Sequence, residues 1–208
     1  MIRIGIVRCS SVMDAPGTIL NVIERRLLSL PKGLQKHIGR VELIAQELAS
    51  WHRVDPERVR IAAKAHDLCR AMKSSELLAM AEEFHISIHQ VDRREPILLH
   101  GPVAAEILRS EGLEDEGIYE GIYRHTTASV GLDSVAKVVF LADKLDPMKM
   151  KRYPQGAALK VLAHENLDKA ILEFLTSEMA RLLTEGHLIH PATVDARNHL
   201  LTNTCEGS

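Results

Sequence analysis

The adjacent residues His66 and Asp67 lie in an alanine-rich run, Arg60 to Ala71, whose composition predicts a helix. Burying an imidazole or a carboxylate on the apolar side of a helix costs several kcal/mol unless the group finds a partner. A bound metal ion supplies a partner to both groups. The small side chains around the pair also allow other helices to approach closely. The pair therefore favours folds in which several helices assemble one metal cluster.

Further residues of the same chemical type recur along the chain, each beside an apolar helical pattern. They are His37, His100, His125 and Asp143. His100 precedes Gly101-Pro102, where a helix is expected to restart or kink because proline lacks a backbone donor. His125 is expected to end the buried stripe of its helix, and Asp143 falls at helical spacing from buried aliphatic residues. A carboxylate in such a position is rarely buried unless it is paired or metal-bound.

Helical periodicity dominates the remainder of the chain. From Leu34 onward, apolar residues recur three or four positions apart, and His37 lies within about one residue of that stripe. Only 3% of the residues are aromatic, so the core must consist of aliphatic side chains packed between helices. The pattern predicts an all-α fold, a compact helical bundle with the metal site between its core helices.

The length of 208 residues, of which 46% are hydrophobic, fits one globular domain preceded by a short extension. The extension is predicted to span residues 1–30, with a short strand or coil at Ile2 to Val7 and a helix from Thr18 to Leu30. The domain is predicted to span residues 31–203, with the segment from about 157 to 185 forming one or two helices over the core.

Charge and cysteine content restrict partners and compartment. The formal net charge of −2 provides no extended basic field, so long nucleic acid is not an expected partner. The three cysteines form no CxxC pair, which favours a reducing cytoplasm over a disulfide framework. No run approaches the roughly 18 apolar residues of a membrane span, so a membrane partner is not expected either. The oligomeric state stays open, and a homodimer is among the states allowed.

In their order along the chain, these residues resemble the signature of the HD-domain metal-dependent phosphohydrolases, which consists of a histidine, a His-Asp pair and a distant aspartate. The sequence is similar more narrowly to the YqeK-type branch, which hydrolyses diadenosine tetraphosphate symmetrically to two ADP. The resemblance runs from about Leu34 to Leu201. The motifs that carry it are His100-Gly101, His125-Thr126, Ala142-Asp143, Asp146-Pro147 and the tail from Leu188 to Leu201.

The donor set of histidines and aspartates without thiolate suits iron, manganese, zinc or cobalt, and the resemblance implies iron. His37, His66, Asp67 and Asp143 would complete one metal site, and with Asp67 shared, His100 and His125 would hold a second ion. We favour two divalent ions that share a bridging hydroxide, with this hydroxide as the nucleophile. The expected substrate is a small nucleotide.

Phosphoanhydride cleavage also requires cations near the phosphoryl oxygens. The resemblance points to Arg70 and Lys149 as catalytic cations, together with the shared Asp67, and Lys73 is a further candidate. Two positions differ from the family pattern. Leu34 stands where the family commonly has arginine, and Thr127-Ala128 stand where it has a glycine. Arg197 and Asn198 match the tail motif and are expected to line or brace the pocket.

Two other functions remain open from the sequence. A nucleotide-binding sensor could keep the residues of the cluster without turnover, although all six of them are present. A nucleoside-monophosphate phosphatase with a single metal would leave His100 and His125 without a role.

Overall fold

A computed structural model describes residues 19–151 and 156–205, so the strand expected at Ile2 to Val7 lies outside the described residues. Throughout the described part, every regular element is helical, which confirms the all-α prediction. The helices are α1 (Ile19–Ser29), α2 (Lys32–His52), α3 (Pro56–Ala65), α4 (Ser74–Glu83), α5 (Gln90–Arg94), α6 (His100–Ser110), α7 (Glu116–Arg124), α8 (Ser134–Lys144), α9 (Pro147–Met150), α10 (Gly156–Glu165), α11 (Leu167–Thr184) and α12 (Pro191–Cys205). A 3-10 helix, Pro96–Leu99, leads into α6.

The centre of the bundle is formed by α2, α3, α7 and α8. Helix α2 packs against α3 and α8, α3 packs against α7 and α8, and α6 covers α7. The fully buried side chains at these contacts are almost all aliphatic, as the low aromatic content requires. Helices α10, α11 and α12 form an outer layer in which α11 packs on α8. No described helix is both long enough and apolar enough to cross a bilayer.

The prediction that the whole run from Arg60 to Ala71 is helical was wrong. Helix α3 begins at Pro56, where Asp55 caps it by accepting hydrogen bonds from two backbone N–H groups, and it ends at Ala65. Beyond this point the backbone bonds span three residues instead of four, as in the contact from the Arg70 N–H to the Asp67 carbonyl. His66 and Asp67 therefore lie at the C-terminal end of α3 and in the turn that follows it.

The helix breaks expected at two histidines are present. His100 is the first residue of α6, and it directly follows the 3-10 helix. His125 follows the last residue of α7. Asp143 lies in the last turn of α8. Each of these side chains therefore projects from a helix end, where the backbone is fixed by neighbouring turns.

Helix α1 contributes to the core through Ile23, whose side chain is fully buried. We expect Ile23→Ala to lower the free energy of unfolding by about 2–5 kcal/mol, because the cavity left behind adds to the lost burial. Leu28→Ala in the same helix is the matched control, since Leu28 is 76% exposed and such changes cost within about 0.5 kcal/mol. Urea denaturation of both variants measures the difference. Equal stability of the two would contradict the packing of α1.

Candidate metal centre

Six residues named from the sequence meet at one point inside the bundle. Each of them is between 0% and 9% exposed. They are contributed by α2, the end of α3, the start of α6, the end of α7 and the end of α8. The six are His37, His66, Asp67, His100, His125 and Asp143. Four imidazoles and two carboxylates, all buried and all facing one another, form an oxygen and nitrogen donor set.

The carboxylate of Asp67 divides this set into two halves. Its Oδ2 lies 3.4 Å from His37 Nε2 and 3.6 Å from His66 Nε2. Its Oδ1 lies 2.8 Å from His100 Nε2 and 3.5 Å from His125 Nε2. Asp143 belongs to the first half, because its Oδ1 lies 3.1 Å from His37 Nε2 and 3.5 Å from His66 Nε2. We call the two halves the Asp143 half-site and the His100 half-site.

All four imidazoles present Nε2 to the centre because each Nδ1 has an acceptor elsewhere. His66 Nδ1–H donates to the Ala63 carbonyl and His125 Nδ1–H to the Ile122 carbonyl, both at 2.7 Å. His100 Nδ1–H donates in the same way to the Ile97 carbonyl. His37 Nδ1–H donates to the carboxylate of Asp146. In His66, His100 and His125 these contacts direct the Nε2 lone pair to the centre, as metal ligation requires. Although burial acts to lower it, hydrogen bonds to Asp143, Asp67 and Asp146 raise the pKa of His37 to about 9. A metal ion therefore displaces a proton from His37 Nε2 when it binds.

The contacts inside the centre fit a bound cation better than they fit the side chains alone. His100 Nε2 and His125 Nε2 lie 3.0 Å apart, although with Nδ1 protonated both atoms are acceptors. The buried His66 Nε2 has no hydrogen-bond partner among the described residues. With metal–nitrogen bonds of about 2.0–2.1 Å, neighbouring ligands of one ion lie about 3 Å apart. The residues present therefore fit divalent metal ions.

Burial and neighbouring charge shift the pKa values at the centre in opposite directions. Burial lowers the pKa of His125 to about 3, helped by the nearby imidazoles of His100 and His66, so this ring is neutral at pH 7. Although burial acts to raise it, neighbouring histidines hold the pKa of Asp67 well below its usual range. The pKa of Asp143 is likewise held well below its usual range, chiefly by Lys144 and Lys149. Both carboxylates are thus ionised and available as ligands.

Two lysines flank Asp143. Lys149 Nζ contacts Asp143 Oδ1, and Lys144 Nζ lies 2.8 Å from Asp143 Oδ2. Lys144 Nζ also donates to the His125 carbonyl at 2.7 Å, so one ammonium group connects a residue of each half-site. The sequence predicted Lys149 but missed Lys144. Its position directly after Asp143 was the available signal, but a lysine in the last turn of a helix is usually solvated.

Asp146 is a second residue that the sequence analysis did not assign to the site. It is fully buried, it accepts from His37 Nδ1, and it accepts two hydrogen bonds from the guanidinium of Arg40. Asp146-Pro147 is one of the motifs that carry the family resemblance, but taken by itself the pair signals only the N-cap of α9. The contact with His37 spans 109 positions of the chain, and no local pattern predicts it.

A cavity of about 430 Å³ opens beside the Asp143 half-site. Lys144 and Lys149 line it where it meets Asp143, and Phe140 and Phe174, in contact with each other, belong to its apolar wall. The cavity continues along α11 as far as Leu182. Its volume lies within the range of about 300–1,000 Å³ that is usual for small-molecule sites. The cavity combines two lysines at the metal centre with an extension along α11 whose lining mixes apolar side chains with Glu178 and Arg181.

Other cations named from the sequence lie elsewhere. The side chains of Arg70 and Lys73 are exposed, and neither residue lines the cavity. Arg197 donates to the Thr176 hydroxyl at 3.3 Å and to Asn198 Oδ1 at 3.2 Å. It therefore joins α12 to α11. The tail contributes to the cavity instead through Thr193, whose hydroxyl donates to the Thr127 carbonyl at 2.9 Å.

The loop after His125 contains a residue other than glycine in the left-handed backbone region. Ala128 has a φ of +61°, a region that side chains other than glycine adopt at a cost of about 1–2 kcal/mol. Its methyl group is fully buried, and the hydrogen bond from Thr193 holds the residue before it. The chain keeps the loop conformation of a glycine although alanine occupies the position.

Gly101 is required by the close approach of α6 to α7. An added Cβ would lie 2.8 Å from the Ile122 carbonyl oxygen and 2.9 Å from two ring atoms of His125. We expect Gly101→Ala to destabilise the protein by about 1–3 kcal/mol and to reduce metal binding, because His125 must move. Gly39→Ala in α2 is the control, since nothing lies within 4 Å of its added Cβ and alanine favours a helix by up to about 1 kcal/mol. Urea denaturation and metal analysis test both variants. If Gly101→Ala bound as much metal as the unmodified protein, the expectation would be contradicted.

Residues 34–148 match the model of the HD domain family. The chain therefore belongs to the HD domain family, and it is a metal-dependent phosphohydrolase of that family. It is 30% identical over 168 residues to a protein of Halalkalibacterium halodurans named "Bis(5'-nucleosyl)-tetraphosphatase, symmetrical", covering 80% of this chain and 88% of the relative. A Bacillus subtilis protein of the same name is 27% identical over 161 residues, covering 77% and 85%. The resemblance drawn from the sequence is confirmed.

A solved structure shares the fold. It is the crystal structure of a predicted HD superfamily hydrolase involved in NAD metabolism from Clostridium acetobutylicum. The TM-score is 0.83 at 25% sequence identity, over 88% of this chain and 97% of that one. The compact helical bundle predicted from the sequence is thus the bundle of HD hydrolases.

Proposed function

We propose that the chain hydrolyses diadenosine tetraphosphate symmetrically into two ADP, using two divalent ions of which iron is the first candidate. The observation that carries the dinuclear site is the orientation of Asp67, with Oδ2 towards His37 and His66 and Oδ1 towards His100 and His125. A carboxylate directed at two groups of imidazoles is suited to hold two ions near each other. The names of the relatives support the substrate.

Each residue of the site then has a defined task. His37, His66 and Asp143 would hold one ion, His100 and His125 the other, and Asp67 both. When bound, the divalent ions would supply a nucleophile at neutral pH and would neutralise charge on the transferred phosphoryl group. Lys149 lies at the junction of the cavity and Asp143, where its ammonium group is positioned for polyphosphate oxygens. Arg70 remains a proposed second clamp, at the exposed side of the turn after Asp67.

The position of the substrate in the cavity determines which phosphoanhydride bond is cleaved. With one ADP half held near Lys149, the attacked atom is its β-phosphorus. The oxygen of water forms the new bond to that phosphorus. The bond between this phosphorus and the oxygen that joins the two β-phosphates breaks, and the departing ADP keeps that oxygen. Both products are ADP, and only one of them contains oxygen from water.

The test is a screen of nucleotides with iron, manganese, cobalt and magnesium, read by product identity. Diadenosine tetraphosphate in oxygen-18 water should give only ADP, with label at the β-phosphate of half the molecules. Formation of ATP and AMP would show that a different phosphorus of the polyphosphate lies at the metal centre. This result would refute symmetrical cleavage. Tight ADP binding without hydrolysis under any of the metals would favour a nucleotide sensor instead. Hydrolysis confined to nucleoside monophosphates would favour a single-metal phosphatase.

A further inference from the structure

The four histidines of the metal centre are oriented in two different ways. His66, His100 and His125 each donate Nδ1–H to the carbonyl of the residue three positions earlier. Their orientation is therefore set by their own helical turn. His37 is the exception, because its Nδ1–H donates to Asp146, a side chain 109 positions away. One imidazole of the centre thus depends on a long-range contact.

Asp146 is itself held by a salt bridge to Arg40. Arg40 Nε donates to Asp146 Oδ1 at 2.9 Å, and Arg40 Nη2 donates to Asp146 Oδ2 at 2.8 Å. This bidentate geometry fixes the carboxylate plane and compensates a fully buried negative charge. Arg40 lies three positions after His37 in α2. The two side chains that contact Asp146 therefore come from the same helix.

We infer that Arg40 is a positioning residue that holds Asp146 and, through it, aims His37 Nε2 at the Asp143 half-site. The same carboxylate accepts from the Met148 N–H at 3.0 Å and so begins α9, the helix that carries Lys149. Loss of Arg40 would leave a buried carboxylate with less compensation and a freer His37 ring. Partners of ligating histidines commonly change metal affinity by about 10–100-fold.

The inference rests on the metal centre of the proposed function, but its test requires no substrate. Metal-free protein is titrated with Mn²⁺ in competition with a chelator, for the unmodified chain, Arg40→Met, Arg40→Lys and Asp146→Asn. We expect one Mn²⁺ to bind about 10–100-fold more weakly in Arg40→Met, with partial recovery in Arg40→Lys, which keeps the charge but not the bidentate geometry.

A double-mutant cycle shows whether Arg40 acts through Asp146. If it does, Arg40→Met adds little to the loss already caused by Asp146→Asn, because the two changes break one chain of contacts. Arg58→Met is the matched control. Arg58 makes the same bidentate contact, at 2.9 and 2.7 Å, to Asp115, which also caps a helix but touches no residue of the metal centre. Its side chain is 39% exposed, compared with 37% for Arg40.

The outcomes are separable. Unchanged Mn²⁺ binding in Arg40→Met overturns the inference, as does equal weakening of both ions, which would indicate a general loss of structure. Additive losses in the double variant would show that Arg40 does not act through Asp146 and would also overturn it. If the unmodified protein binds no Mn²⁺ and no other divalent metal, the proposed dinuclear site and this inference are both refuted, whereas a loss confined to the Arg40 and Asp146 variants concerns the inference alone.

Discussion

Asp67→Ala should remove both metal ions and reduce hydrolysis by about 10³-fold or more. The expectation follows from the two oxygens of Asp67, each of which faces a different half-site. Metal stabilisation of a phosphoryl transition state is worth several kcal/mol, and each 1.36 kcal/mol is a factor of ten in rate. Elemental analysis gives the metal content of the purified variant, and initial rates give its activity.

Asp67→Asn and Asp195→Ala complete this experiment. An amide keeps one metal-binding oxygen, so Asp67→Asn should retain part of the metal content but little activity. Asp195 is an exposed carboxylate on α12, and its removal should change neither quantity. Metal-free protein with undiminished turnover would exclude the metal mechanism altogether.

His100→Ala should remove one of two ions and lower activity by about 10²-fold or more. His100 belongs only to the half-site that faces Asp67 Oδ1 and His125, so the Asp143 half-site should keep its ion. A single remaining ion cannot clamp the attacking and leaving oxygens together. The measurement is again metal content per chain, combined with kcat for diadenosine tetraphosphate at saturating metal.

His85→Ala is the control for this change, because His85 is exposed and lies outside the centre. The single-metal alternative makes the opposite prediction for His100→Ala, namely nearly intact activity with an unchanged metal content. The variant therefore separates the two readings even if the substrate differs from the one proposed.

The sequence predicted the helical class from local patterns, whereas the residues of the centre were assigned as a set through the family resemblance. Apolar periodicity identifies helices without knowledge of their partners. The helix breaks at His100 and His125 followed from Gly101-Pro102 and from the end of an apolar stripe. That these residues converge came from the family resemblance, since no periodicity indicates which helix ends meet in space.

The missed features are those that depend on tertiary contacts. No glycine or proline marks the end of α3 at Ala65, and the tight turn that places Asp67 is set by packing around the centre. Arg40 looks like a surface residue of α2 until Asp146 is brought beside it from α9. Of the cations that line the cavity, Lys149 could be assigned through a motif, whereas Lys144 and Arg181 are brought to it by the fold.

Three helix ends converge on the metal centre, and this gives it an electric field of its own. Helices α3 and α7 end directly before His66 and His125, and the last turn of α8 carries Asp143. The C-terminus of a helix acts as roughly half a negative charge and its N-terminus as roughly half a positive one. Three C-terminal ends and two ionised carboxylates therefore outweigh the N-terminus of α6 at His100 and the two lysines beside Asp143. This field attracts cations and repels phosphates. We therefore expect the ions to bind first and to reverse the local potential, so that they are a precondition for nucleotide binding as well as for cleavage.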